Sequence, residues 1–156
     1  MTRQIVVDSN LLVLLLVGLT RPNLIGRHKR TRSYDERDFE LLTKLLSSYD
    51  RIVVTPHIVT EASNLISQIE EPISTDLRET LRGFIPLQDE RYEESKIVVE
   101  NEYFSRLGLT DSAVLNLAKD SIPIVTVDLQ LYLAASRVSN TVVNFNHVRE
   151  ASWRNS

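Results

Sequence analysis

Three short runs of β-branched apolar residues punctuate the chain: IVV at Ile5 to Val7, RIVVT at Arg51 to Thr55, and PIVTV at Pro123 to Val127. Each is continuously apolar rather than alternating, the pattern of a strand buried on both faces of a parallel sheet. A fourth run, TVVNF at Thr141 to Phe145, is less apolar and predicts an edge strand. Segments with helical spacing separate these runs, so the order reads strand, helices, strand, helices, strand, helix, strand. That alternation predicts an α/β fold around a parallel sheet. Local start signals agree: Thr55 offers a capping hydroxyl before Pro56, and Thr110 precedes an acidic first turn at Asp111. TDLRETLRGFI, from Thr75 to Ile85, predicts an amphipathic helix ending near Gly83 and Pro86. Leu41, Leu42, Leu45 and Leu46 read as a core face, as does the stretch from Val98 to Phe104.

One run breaks its own pattern. QIVVDSNLLVLLLVG, from Gln4 to Gly18, carries a carboxylate and two polar residues inside the most apolar stretch of the chain. Asp8 follows directly on a buried-type strand, and Asp128 does the same after IVTV. In open α/β sheets ligands bind beyond the carboxyl ends of parallel strands, where both aspartates fall. Each is equally suited to capping the helix that follows. Glu61 shares a helical face with Ile58, Ala62, Leu65, Ile66 and Ile69, which predicts an inward-pointing glutamate. Asp111 stands at a helix start whose face continues through Val114, Leu115 and Ala118. Two acids after strands and two on inward helix faces can converge at one end of a sheet, with no run of arginines or lysines beside them.

Clustered carboxylates repel unless a cation is shared among them, and a hard divalent ion, Mg2+ or Mn2+, suits oxygen ligands. Such an ion activates water and stabilises charge on a phosphate under in-line attack, so metal-dependent phosphodiester hydrolysis is the leading chemistry. Composition leaves this route open and closes others. The 156 residues predict a single domain, 1–156, and 42% apolar with 25% charged residues is globular composition. The absence of cysteine excludes disulfides, thiolate metal sites and a cysteine nucleophile. Glycine is scarce, with neither a P-loop nor a dinucleotide fingerprint. Ser9, Ser112 and Ser136 lack the histidine and acid context of a nucleophilic serine, and His28, His57 and His147 show no metal-ligand spacing. Leu11 to Leu19 is about half a membrane span, and Asp8 inside the run with no small-residue cleavage site after it argues against a signal peptide. The expectation is a cytoplasmic protein without membrane association.

A net charge of -3 gives no global attraction for a polyanion, so nucleic acid would need a metal ion or a local basic patch. Thr20 to Asp35 supplies a patch: Arg27, Lys29, Arg30 and Arg32 are candidates for RNA phosphate contacts if the segment returns over the rim of the site, and a solvated loop if it does not. Tyr34 is read as packing.

The stretches IVVDSNLL, TPHIVTEASNL, GLTDSAVLNLA and IVTVDLQLYLAA resemble, in this order, the four acidic motifs of PIN-domain ribonucleases, over Ile5 to about Phe145. The resemblance implies a three-layer α/β sandwich with a central, mainly parallel sheet of four or five strands, and endonucleolytic cleavage of RNA with Mg2+ or Mn2+. It implies that Asp8, Glu61, Asp111 and Asp128 are the metal-binding, catalytic acids, with Asn10 and Thr126 as supporting polar residues. Many such proteins are VapC-like toxins of bacterial toxin-antitoxin pairs, often dimeric, so a toxin or defence role, an antitoxin or regulatory partner and a homodimer or higher oligomer are implied partners beside RNA. The chain departs from the pattern at Gln130, where relatives frequently carry another acid, and in the added lengths after Thr20 and Glu71. The alternative is a non-catalytic RNA- or partner-binding module on the same scaffold. Receiver-like and haloacid-dehalogenase phosphoryl transfer are disfavoured, because Asp8-Ser9-Asn10 supplies neither adjacent acids nor an Asp-x-Asp pair.

Overall fold

The four predicted strands all form in the computed structural model, which describes residues 2–155. β1 (Gln4–Val7), β2 (Arg51–Val54), β4 (Ile124–Thr126) and β5 (Val142–Asn144) are joined by a two-residue strand that the apolar pattern did not reveal, β3 (Asp89–Glu90). The sheet order is β3-β2-β1-β4-β5 and every pairing is parallel. β1 is therefore central, which explains why Ile5, Val6 and Val7 have no exposed surface. β5 lies at an edge, as its weaker apolarity predicts.

Eight α-helices follow among the described residues: α1 (Ser9–Thr20), α2 (Glu36–Leu46), α3 (Pro56–Ile66), α4 (Ile73–Phe84), α5 (Ser95–Val98), α6 (Phe104–Lys119), α7 (Leu129–Val138) and α8 (Phe145–Arg154). α1 packs against α2, α3 and α4, while α6 packs against α5 and α7, an arrangement compatible with a three-layer α/β sandwich. α1 is buried from Leu11 to Gly18 on all sides, and a helix apolar all round belongs in a core. The apolar run of the N-terminus is thus two elements, a central strand and a central helix, and Asp8 is the hinge between them. Gly18 allows α2 to close on α1, because a Cβ there would stand 2.3 Å from the Phe39 ring. No helix among the described residues is long and apolar enough to cross a membrane.

Two local expectations are corrected. Thr55 caps α3 as predicted, its hydroxyl accepting from the Ile58 N–H at 3.1 Å. Thr110, by contrast, lies inside α6, which starts at Phe104 and is interrupted at Gly108 (φ 87°, ψ -176°). That conformation is essentially restricted to glycine, so Gly108 rather than Thr110 sets where the helix restarts. Ile69 falls beyond the end of α3 and does not extend its apolar face.

Candidate active site

Asp8 and Asp128 are both helix N-caps: Oδ1 of Asp8 accepts from the Leu11 N–H at 3.0 Å, and Oδ1 of Asp128 accepts from the Leu131 N–H at 3.0 Å. Capping occupies one carboxylate oxygen in each and leaves the other for further work. In Asp8 that second oxygen accepts from the Thr126 hydroxyl and from the Val127 N–H at 3.1 Å. Thr126, wholly buried at the end of β4, in turn accepts from the Asp128 N–H at 3.0 Å. One threonine hydroxyl therefore ties the two acids of adjacent parallel strands into a fixed relation.

A cavity of about 320 Å3 opens beyond the carboxyl ends of β1 and β4, and Asp8, Glu61, Asp111 and Asp128 all line it, together with Asn10. Four acids from four separated segments line it, and among the described residues no lysine, arginine or histidine lines the same space. Asp8 is buried, Asp111 half-buried, and Asp128 and Glu61 exposed. The exposure of Glu61 corrects the inward-pointing expectation: its part of the helical face borders the cavity rather than the apolar core.

The charges sense one another. Burial pushes the Asp111 carboxyl up to about 7, helped by the negative charges of Asp128, Asp8 and Glu61. Burial also raises Asp8, against the lowering effect of its Thr126, Leu11 and Val127 hydrogen bonds, with the Asp128 charge adding to the rise. Both shifts come first from burial and then from the neighbouring carboxylates.

The donor set is oxygen only, the chemistry of Mg2+ or Mn2+. Ser9 adds a buried hydroxyl oxygen with no hydrogen-bond partner, on the wall of the same cavity. Among the described residues no group of three or more His, Cys, Asp or Glu side chains is placed to hold a metal ion. Mg2+ does not require such a group, since it keeps several waters and uses one or two carboxylates directly.

Sequence reasoning did not find Ser9 or Gly108 as parts of this wall. The Gly108 signal was present in GLTD, a glycine three residues before a candidate acid. The basic segment takes a different place from the one over the rim. Arg27 pairs with Glu70 and the Arg30 guanidinium donates to Gln68 at 2.7 Å, both beyond the C-terminus of α3, and neither they nor Lys29 and Arg32 line the cavity. His28 anchors this segment from inside: its Nδ1 accepts from the Arg30 N–H at 3.1 Å, which leaves Nε2–H to donate to the Ile66 carbonyl at 3.1 Å. Tyr34 is a packing residue, with the Arg149 guanidinium 4.7 Å from its ring centre.

In comparisons with known proteins, no family model matches the chain and no curated protein matches it.

Proposed function

We propose that this chain is a divalent-metal-dependent endoribonuclease with a PIN-like fold, hydrolysing RNA phosphodiester bonds. The observation that supports it most directly is the meeting of Asp8, Glu61, Asp111 and Asp128 in one cavity free of basic side chains, beyond the carboxyl ends of parallel strands. Asp8, Asp111, Asp128 and Glu61 would hold Mg2+ or Mn2+, which when bound supplies an activated water and charge stabilisation at phosphate. The chain's own part is positional. Thr126 and the Val127 N–H hold Asp8 in one orientation, Gly108 sets the turn from which Asp111 is presented, and Asn10 and the Ser9 hydroxyl offer neutral polar contacts where further negative charge would repel a phosphate.

The toxin of a toxin-antitoxin pair, or a defence nuclease, is the biological setting we infer from the motif resemblance, with an antitoxin or regulatory protein as partner. The competing reading, a non-catalytic RNA- or partner-binding module, draws on the absence, among the described residues, of any three acidic or histidine side chains placed to hold a metal ion. One experiment separates them. Structured and single-stranded RNA is incubated with the protein and Mn2+, with chelator as control, for the parent, Asp8→Asn and Asp111→Asn. The nuclease reading expects chelator-sensitive internal cleavage lost in both variants while circular dichroism stays native. Cleavage that survives both substitutions, or its absence from the parent, overturns it.

A further inference from the structure

At the opposite end of the sheet, where β1, β4 and β5 begin, lies a cavity of about 740 Å3, within the range of small-molecule sites. Gln4 at its edge and Asp8 at the acidic cavity bracket the length of β1, so the two cavities lie roughly 13 Å apart along the strand. Its charge is of the other sign. Arg3 and Arg91 both line it, and neither makes an ion pair with a carboxylate among the described residues.

The Arg3 guanidinium is braced by two contacts, and that of Arg91 reaches one neighbour at longer range. Arg3 donates from Nη1 to the Ser48 carbonyl at 2.7 Å and lies 4.9 Å from the centre of the Tyr49 ring, while its own N–H is tied to Asp50 at 2.8 Å. The Arg91 main chain donates to the Val54 carbonyl at 2.9 Å, and its Nη2 reaches Gln4 Oε1 at 3.4 Å. Gln4 is itself fixed by donating to Asp89 at 2.6 Å. A guanidinium carries five N–H donors, and these bonds use one from each side chain. Two cations with spare donors on the wall of one cavity suit an anionic ligand such as phosphate, to which arginine binds in a forked geometry.

The rest of the lining is not that of a bare anion hole. Ile122, Pro123 and Val142 supply apolar wall, and Asp120 is an acceptor for ligand hydroxyl or amino groups. We propose that this cavity binds a nucleoside phosphate, with the phosphate on Arg3 and Arg91 and the nucleoside against the apolar wall, whether as a free mononucleotide or as the phosphorylated end of a short strand. The site stands whether or not the acidic cavity cleaves RNA.

The test titrates the whole chain, with chelator present to silence the acidic cavity, against adenosine monophosphate, uridine monophosphate, adenosine, inorganic phosphate and a 5′-phosphorylated trinucleotide, by calorimetry and amide NMR. Expected is saturable binding of at least one phosphorylated nucleoside with Kd of about 1 mM or tighter. Adenosine and phosphate alone should bind at least about tenfold more weakly, and Arg3→Gln and Arg91→Gln should each cost about tenfold or more, the scale of a charge-assisted bond. Asp8→Asn should bind as the parent does. The stronger of the mononucleotide and trinucleotide identifies the source. Absence of saturable binding, equal binding of inorganic phosphate, indifference to both arginine changes in natively folded variants, or loss in Asp8→Asn would each overturn the site.

Discussion

Asp8 and Asp128 occupy the same place in the same local motif, strand then aspartate then helix, yet they inhabit different environments. Asp8 ends the central strand and has 6% of its surface exposed, with both oxygens engaged. Asp128 ends a strand nearer the edge, is exposed, and caps with one oxygen. The cap explains why an aspartate is tolerated after each strand, and topology decides what else it does. A buried carboxylate given three donors is held in one orientation, its pKa raised by burial although the donors lower it, whereas Asp128 is held through its cap. The shared motif is a foundation on which centrality in the sheet builds a rigid acid and an adaptable one.

The largest expected effect comes from removing the rigid member. Asp8→Ala deletes the cap of α1, worth about 1 kcal/mol, and takes the acceptor from the buried Thr126 hydroxyl and the part-buried Val127 N–H, a further penalty of about 1–3 kcal/mol. Relief of the buried charge offsets part of this, so urea denaturation should report a net loss of about 2–3 kcal/mol. A loss no larger than that for Asp128→Ala would break the contrast.

Thr126→Val keeps the shape of the side chain but removes the hydroxyl that joins the two acids. Asp8 loses one donor, and the Asp128 N–H loses its acceptor. We expect about 1–2 kcal/mol of destabilisation, because Asp8 loses a donor and its carboxyl is pushed further up. Gly108→Ala belongs on the same scale, about 1–3 kcal/mol, because the open space around it does not relieve the strain of φ 87°. Asp128→Ala should cost about 1 kcal/mol, the ordinary value of a cap. Thermal or urea unfolding of the three variants side by side orders them.

How much of this was legible in the chain follows from which forces are local. The β-branched runs announced β1, β2, β4 and β5 because strands buried on both faces need continuous apolarity. Thr55 announced the start of α3 because capping is settled within four residues. β3 was silent because Asp89 and Glu90 pair through backbone alone at the edge. The exposure of Glu61 was missed for a related reason: helical period tells which residues share a face, not whether that face meets core or cavity. The placement of the basic segment depended on His28 reaching the Ile66 carbonyl, 38 residues away in sequence, and no local pattern encodes that. The four acids were legible one by one. Their convergence required the order of parallel strands.

The smallest effect is also the one that joins the rigid and adaptable acids to their neighbour Asp111, whose carboxyl is raised to about 7. A folded-state pKa above the unfolded value of 3.8 means that folding disfavours the ionised form. Its penalty is complete above pH 7, shrinks as pH falls, and vanishes below about 4. Asp8 is raised as well and acts in the same direction. Glu71, lowered from 4.5 to about 2 by hydrogen bonds from Ser74, Thr75 and Arg78, acts oppositely, so its contribution is lost as pH falls through that lower range. Metal-free protein should therefore melt at a higher temperature near pH 5 than near pH 8 and lose stability again below pH 4. Asp111 is partly exposed, so the neutral-side slope should be shallow and should weaken in high salt. Saturating Mn2+ should flatten it further, since a cation between carboxylates removes the repulsion that creates it. A neutral-side slope that Mn2+ leaves unchanged, measured by scanning calorimetry in matched buffers, would place the ion somewhere other than among these acids.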